Sequence, residues 1–227
     1  MGKVRKSIFP KRSSSASISP SWNGIHIWER SPLLITNGLR CLLALLLLVL
    51  LIGGPLAYSN YRNTQFRHFR VVQDGKVYRS GQMSIAALQR TTEEYGIKTV
   101  ISFDSLKRER PLDAEEEKFC QTHGIRHVRI RPREWLADED GNVPAQEPVN
   151  KFLKVLDDPS AYPVLVHCFA GMHRTGAYCA IYRMEYQRWD NADAMTELKA
   201  LGYTNLEKED DVHGYLDTYV PRWRSKE

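Results

Sequence analysis

The strongest pattern along the chain is an uninterrupted apolar run near its N-terminus. Residues 41–61 read CLLALLLLVLLIGGPLAYSNY, and no charged side chain occurs among these 21 residues. With a helical rise of about 1.5 Å per residue, the run spans roughly 30 Å, the thickness of a membrane's hydrocarbon core. A cleaved secretory signal would have an unusually long charged region here, and Gly53-Gly54-Pro55 is a poor cleavage context. We therefore predict an uncleaved single-pass transmembrane anchor over residues 41–61.

Beyond residue 61, short apolar runs alternate with segments of helical periodicity. Strands are predicted at 77–79, 98–103, 126–130 and 163–166, and helices at 85–95, 113–123, 147–156, 174–188, 192–201 and 211–219. Gly96 and Gly124 each end a helix directly before an apolar strand, and Asp113 is predicted to cap the second helix. Consecutive helix–strand units indicate an α/β fold, with a small, mostly parallel central sheet flanked by helices.

The net charge of +5 is unevenly distributed. Residues 1–40 contain seven basic residues and one acidic residue, whereas the remainder contains 25 basic and 26 acidic residues. A nucleic-acid-binding domain would carry its positive charge on the fold itself, so we exclude nucleic acid as a partner. We predict a disordered basic tail over 1–40, the anchor over 41–61 and one domain over 62–227. The basic excess before the anchor favours a cytoplasmic tail, but basic residues soon after it leave the side of the domain open.

The candidate chemistry is concentrated between the strand at 163–166 and the next helix. Residues 166–176 read VHCFAGMHRTG. A turn that opens a helix directs main-chain N–H groups inward and favours an anion. The same field stabilises Cys168 as a nucleophilic thiolate, and Arg174 can hold two oxygen atoms of a phosphate with its planar guanidinium. The segment is therefore a candidate phosphate-binding loop with a cysteine nucleophile at its base.

The motif His167-Cys168-x-x-Gly171-x-x-Arg174-Thr175-Gly176 resembles the phosphate loop of the cysteine-dependent protein tyrosine and dual-specificity phosphatases. The resemblance is closest to compact atypical dual-specificity phosphatases of bacterial, plant and fungal type, and it covers most of 68–205. It implies that Cys168 forms a cysteinyl-phosphate and that Arg174 stabilises the transition state. It further implies that Thr175 hydrogen-bonds the sulfur and that His167 braces the loop. The implied phosphoryl-binding residues are Phe169, Ala170, Gly171, Met172, His173 and Arg174, and neither a metal nor an organic cofactor is implied.

The resemblance also implies a general acid, an aspartate on a mobile loop before the cysteine. The polar loop 131–146 contains Asp138, Glu139 and Asp140, and Asp138 stands thirty residues before Cys168. There is no Trp-Pro-Asp triplet, although Trp135 lies nearby. We predict that Asp138 or Asp140 is the acid without separating them, and the alternative is that all three acidic residues are solvated loop charges.

The expected partner is a phosphorylated protein or small molecule. The apolar side chains of Phe169, Ala170 and Met172 favour a phosphotyrosine protein, with phosphoserine or phosphothreonine in second place. A phosphoinositide or inositol polyphosphate remains an alternative. The period-two residues Arg129, Arg131 and Arg133 share one strand face and form either a basic rim for the substrate or a solvent-facing edge.

Other classes of protein fit the motif less well. A catalytically silent phospho-binding module usually lacks the nucleophile or the arginine, and both are present here. A metal site of His167, Cys168 and His173 has only three donors. A sulfur-transfer or arsenate-reducing enzyme does not explain the Gly-x-x-Arg-Thr-Gly ending. Whether Cys120 or Cys179 pairs with Cys168 is open.

Overall fold

The computed structural model describes residues 32–103 and 110–224, without the side chains of residues 32–35 and 62–64. Most of the predicted tail over 1–40 therefore lies outside the described residues. The chain divides after Leu50 into two units, and each is considered by itself.

A long helical segment contains the predicted anchor. Helix α1 spans Pro32–Leu48, a π-helical turn spans Val49–Gly53, and α2 spans Gly54–Phe66. Within Thr36–Tyr61, the most apolar window of 18 residues has a mean hydropathy of 2.5, and none of that window is buried. The helix is thus long and apolar enough to cross a membrane, and it extends beyond residues 41–61 at both ends.

The second unit is built around a mixed five-stranded sheet. Its strands are β1 Arg70–Gln73, β2 Val77–Gly81, β3 Thr99–Phe103, β4 Arg126–Ile130 and β5 Val164–Cys168. The order is β1-β2-β5-β3-β4, with β1 antiparallel to β2 and all other neighbours parallel. The predicted strands and their parallel arrangement are confirmed. Strand β1 was not predicted, because only Val72 among its four residues is buried and no alternating apolar pattern marks it.

The helices lie within two residues of their predicted bounds. They are α3 Ile85–Tyr95, α4 Pro111–Thr122, α5 Gln146–Leu156, α6 His173–Tyr186, α7 Asn191–Ala200 and α8 Asp210–Thr218, with 3₁₀ turns at Pro159–Ala161 and Leu206–Lys208. The predicted cap of α4 is wrong. Pro111 is the first helical residue, so Arg110 takes the N-cap position. Asp113 lies one turn inside and accepts a hydrogen bond from the Arg110 main-chain N–H.

The two faces of the sheet pack into two hydrophobic clusters. One cluster joins residues of β5 to helices α5–α8, and the other joins β5 to α3 and α4. Central strand β5 is buried along its whole length. Because side chains alternate across a strand, His167 and Cys168 point to opposite faces. The end of β5 therefore places the thiol on the α6 side and the imidazole on the α4 side.

Candidate active site

The Cys168 thiol lies at the base of the turn between β5 and α6 and is only 4% exposed. The Gly171 main-chain N–H donates to its Sγ atom at 3.2 Å. Burial raises the pKa of this thiol. The hydrogen bond from Gly171, the polar hydroxyl and main-chain N–H of Thr175, and the positive charge of Arg174 outweigh burial and lower the pKa below its ordinary value. The site therefore stabilises a thiolate.

Contacts with strand β2 fix the conformation of the loop. Gly171 has a φ of +76°, and a Cβ atom there would lie 2.3 Å from the Gly81 nitrogen. Arg79 is 3% exposed, and its Nη2 atom donates to the carbonyl oxygens of Gly171 at 2.8 Å and Met172 at 3.4 Å. Because the C=O and N–H of a peptide plane point in opposite directions, holding these carbonyls turns the following N–H groups away from Arg79. This arrangement favours an anion above the loop.

Arg79, which contacts the loop, was not among the residues predicted from the sequence. The available signal was a charged residue inside an apolar strand, between Tyr78 and Ser80, in a strand that the structure shows to be buried along its whole length.

Arg174 lies in the first turn of α6 and is partly buried. Its Nη1 atom donates to the carbonyl oxygen of Phe103 at 2.7 Å, at the C-terminal end of β3. The guanidinium is thus fixed at the same edge of the sheet as Cys168. An arginine in this position can grip two oxygens of a bound phosphoryl group.

His167 belongs to a buried ionic network on the opposite face of β5. Its Nε2 atom lies 2.8 Å from Glu116 Oε1, which is also 3.2 Å from His127 Nε2. Burial raises the pKa of Glu116, but the charge of His167 and hydrogen bonds from both imidazoles outweigh it and lower the pKa to about 2. The carboxylate therefore holds the His167 ring, and through it the end of β5. Glu116 was not predicted from the sequence, where its signal was an acidic residue on a buried helix face.

The side chains of Phe169, Met172 and His173 in the loop contact different parts of the protein. Phe169 is 43% exposed, and the guanidinium groups of Arg67 and Arg110 lie 4.0 and 4.3 Å from its ring centroid. Met172 packs near Gly202, and the His173 ring contacts Tyr203 at a centroid distance of 4.4 Å. The His173 side chain therefore turns to Tyr203, and its contribution to a phosphate cradle would come from its main-chain N–H.

The loop that contains the candidate acids is anchored at its base. Trp135 is buried, with ring centroids 5.7 Å from Tyr178 and 4.9 Å from Tyr215. At the exposed tip, Asp138 Oδ1 accepts the N–H groups of Asp140 at 3.1 Å and Asn142 at 2.8 Å. The Asp138 carboxylate thus stabilises the turn. The Asp140 carboxylate makes no hydrogen bond or ion pair with the residues that the structure describes.

Two arginines, one on β4 and one in the loop after it, form ion pairs on the protein surface. Arg129 pairs with Glu117 at 3.2 Å, and Arg133 pairs with Glu147 at 2.6 Å. Both glutamates are exposed on neighbouring helices, so these guanidinium groups are used in surface ion pairs. These contacts support the solvent-facing interpretation for Arg129 and Arg133, and Arg131 is exposed.

The other cysteines differ from Cys168. Cys120 and Cys179 are buried free thiols. Burial raises the pKa of both, to about 12 for Cys120. Neither forms a disulfide with Cys168, and only Cys168 among these three buried thiols has a lowered pKa. Among the described residues, no group of three or more His, Cys, Asp or Glu is placed to hold a metal ion.

Comparison with known proteins extends over most of the chain. Residues 59–214 match a family described as a DSP-PTPase phosphatase fused to NAD+ kinase. The chain is 29% identical over 200 residues to the dual specificity protein phosphatase TpbA of Pseudomonas aeruginosa, which covers 83% of this chain and 82% of that protein. It is 31% identical over 122 residues to the inositol diphosphatase DSP1 of Oryza sativa, which covers 54% of this chain and 51% of that protein.

Two solved structures have a similar fold. The core catalytic domain of the PP-IP phosphatase SIW14 from Saccharomyces cerevisiae has a TM-score of 0.55 at 20% identity, over 71% of this chain and 91% of that one. Pseudomonas aeruginosa TpbA has a TM-score of 0.51 at 22% identity, over 67% of this chain and 85% of that one. At these identities the likeness establishes the fold.

Proposed function

The chain belongs to the DSP-PTPase family of phosphatases and is therefore a hydrolase, and from this premise we propose that it dephosphorylates phosphotyrosine on proteins, with phosphoserine and phosphothreonine in second place. The observation that carries the proposal is the position of Cys168, with its lowered pKa, in the turn before α6, at the sheet edge where the Arg174 guanidinium is held by the Phe103 carbonyl. A thiolate beneath an arginine and converging N–H groups is suited to in-line attack on a phosphate monoester.

The proposed reaction has two displacements. The Cys168 thiolate attacks phosphorus, an S–P bond forms, and the P–O bond to the substrate oxygen breaks. Arg174 and the loop N–H groups bind the three remaining phosphoryl oxygens as charge develops on them. Water then attacks the cysteinyl-phosphate, the S–P bond breaks, and inorganic phosphate leaves. Hydrogen bonds from Thr175 stabilise the sulfur as it departs as a thiolate.

The substrate oxygen that departs in the first displacement needs a proton. Asp138 and Asp140 remain the two proposed donors. Asp140 is the better candidate, because the Asp138 carboxylate already accepts two main-chain hydrogen bonds that hold the turn. A carboxyl group without such contacts is free to approach a substrate.

The proposal of a phosphotyrosine substrate is based on the apolar side chains of the loop and on the name of one relative. Phe169, Ala170 and Met172 add no charge to the cradle, and TpbA is named a dual specificity protein phosphatase. Arg67 and Arg110 place two positive charges over Phe169, and this charge suits either an acidic residue of a peptide or a further phosphate, so an inositol phosphate is the second candidate. The relative DSP1 is named an inositol diphosphatase.

We also propose that the helix over Thr36–Tyr61 anchors the chain in a membrane as a single span. A core helix of this composition would bury its apolar surface, and none of its most apolar window is buried. The test is fractionation at alkaline pH, in which the full chain should stay with membranes. Removal of residues 36–61 should release it, and protease protection would then locate the domain.

The activity is tested on the full chain in a nonionic detergent. The wild type should hydrolyse an aryl phosphate without added metal, and Cys168→Ser and Arg174→Lys should abolish or strongly reduce the rate. A parallel panel of phosphotyrosine peptides, phosphoserine peptides, phosphoinositides and inositol polyphosphates identifies the substrate class. An inactive wild type, or full activity in Cys168→Ser, would contradict the proposal.

A further inference from the structure

A strained segment directly after α2 is attached to the phosphate loop. Arg67 and His68 are consecutive non-glycine residues with positive φ values of 23° and 57°. The Gly81 N–H donates to the Arg67 carbonyl at 2.6 Å, and His68 Nδ1 lies 2.9 Å from the Ala170 carbonyl oxygen. Strain of this kind persists only where surrounding contacts enforce it, and it is common at functional sites. Here the contacts join the segment to β2 and to the loop.

The strained backbone places a charged side chain at the mouth of the loop. The Arg67 guanidinium lies 4.0 Å from the ring centroid of Phe169, the residue that follows the nucleophile. The Arg110 guanidinium lies 4.3 Å from the same centroid. A ring contact of this type restrains a guanidinium while leaving its N–H groups free to donate. Two restrained donors therefore flank the position where a substrate enters.

The positive charges of Arg67 and Arg110 are neutralised to different extents by nearby carboxylates. Arg110 Nε lies 3.7 Å from Asp113 Oδ2, and Asp113 is itself buried. This carboxylate orients Arg110 and offsets part of its charge. Arg67 has no carboxylate partner among the residues that the structure describes. The mouth therefore keeps a net positive charge that the residues described around it do not neutralise.

We propose that Arg67 and Arg110 form a second anion-binding subsite beside the phosphate loop, and that it selects phosphotyrosine peptides with an acidic residue next to the phosphorylated one. The inference rests on the proposed function and adds its specificity-determining residues. A carboxylate matches the planar donor geometry of a guanidinium. Phe169 is adjacent to Cys168 in the chain, so a group bound over its ring belongs to a substrate segment close to the reacting phosphate.

The test compares two phosphotyrosine peptides that differ only in Asp or Asn beside the phosphotyrosine. With the full chain in nonionic detergent, we expect roughly a tenfold preference in kcat/KM for the acidic peptide. Arg67→Gln should reduce this ratio to about twofold by raising KM with kcat unchanged. The preference of the wild type should also fall as salt is added.

The matched control is Arg70→Gln, which removes the same charge from the exposed end of β1 and should keep the preference. Phe169→Leu removes the ring and should lose the preference, whereas Phe169→Tyr should retain it. An equal ratio in the wild type and Arg67→Gln would overturn the subsite while aryl phosphate hydrolysis persists. A wild type that fails on aryl phosphate would overturn the proposed function instead. A preference for inositol polyphosphate that is lost in Arg67→Gln would overturn the assignment to peptides.

Discussion

Arg79 lies beneath the phosphate loop, and its Nη2 atom donates a 2.8 Å hydrogen bond to the carbonyl oxygen of Gly171. The two residues are 92 positions apart in the chain and meet because β2 and β5 are parallel neighbours. A buried cation thereby supports the loop from the side opposite the substrate. The geometry of the loop thus depends on a strand that contributes no reacting group.

The first prediction concerns this support. Arg79→Lys keeps the charge but loses the planar group that reaches both Gly171 and Met172. We expect kcat to fall on the order of 10- to 100-fold, since small displacements of binding groups have effects of this size. Steady-state kinetics and vanadate inhibition measure the change, and circular dichroism checks the fold. An unchanged kcat would show that Arg79 does not position the loop.

The second prediction concerns the thiolate. A thiol with a lowered pKa is ionised at lower pH than an ordinary cysteine, so alkylation of Cys168 should be faster than that of Cys120 at neutral pH. Thr175→Val removes a polar hydroxyl that favours the thiolate and should raise the pKa of Cys168, which moves the midpoint of alkylation to higher pH. Thr175→Ser keeps the hydroxyl and is the control. Identical midpoints in all three proteins would exclude this role for Thr175.

The third prediction separates backbone strain from steric clash at glycine. Gly171 and Gly124 both have positive φ, but only at Gly171 would a Cβ atom meet backbone, 2.3 Å from the Gly81 nitrogen. Gly124→Ala should cost about 1–2 kcal/mol of stability and leave kcat unchanged. Gly171→Ala should cost more and remove most activity, because the loop must move away from β2. Urea unfolding and kinetics on both variants give the comparison.

The fourth prediction is a pH dependence of stability. The pKa of Glu116 is lowered from its model-peptide value of 4.5 to about 2, so the unfolded chain binds its proton first as the pH falls. The stabilisation is complete above pH 4.5, declines as the pH falls towards 2, and amounts to about 3 kcal/mol. Glu116→Gln should flatten this part of the curve of unfolding free energy against pH. A parallel decline in both proteins would assign the acid sensitivity to other carboxylates.

The fifth prediction distinguishes the two candidate acids. A general acid matters most when the departing oxygen is basic, as in phosphotyrosine, and least for an activated aryl phosphate. Asp140→Asn should therefore reduce the rate on phosphotyrosine by about 10²- to 10⁴-fold and leave the rate on an activated aryl phosphate nearly unchanged. Asp138→Asn keeps the Oδ1 acceptor of the turn and should leave this selectivity unchanged. A selective loss of the rate on phosphotyrosine in Asp138→Asn, and not in Asp140→Asn, would identify Asp138 as the acid.

The sequence predicted the parts of the site that are local in the chain. Cys168, Gly171 and Arg174 lie within one strand–turn–helix segment, so their spacing alone indicates an anion-binding turn. Gly96 and Gly124 marked the ends of α3 and α4 for the same reason, since a left-handed residue is a local requirement. The prediction that Asp113 caps α4 was wrong because Pro111 begins the helix two residues earlier. Asp113 is therefore the third residue of α4.

Contacts between distant segments were beyond a single sequence. Glu116 meets His167 across 51 residues, and Arg67 meets Phe169 through strand pairings that the sequence does not specify. Strand β1 escaped prediction because an edge strand with one buried residue has no periodic pattern. The proposed reacting groups were therefore predictable from the sequence, whereas the residues that contact them from distant segments were found only in the folded chain.

The close approach of Gly171 to Ser80 and Gly81 has a consequence for the energetics of catalysis. A Cβ atom on Gly171 would lie within 2.6 Å of three of their backbone atoms, so the loop rests on β2 with no spare volume beneath it. The dipoles of the cradle are then already oriented when a phosphate arrives. A preorganised environment needs little reorganisation as negative charge moves onto the phosphoryl oxygens, and this is a principal source of enzymatic rate enhancement.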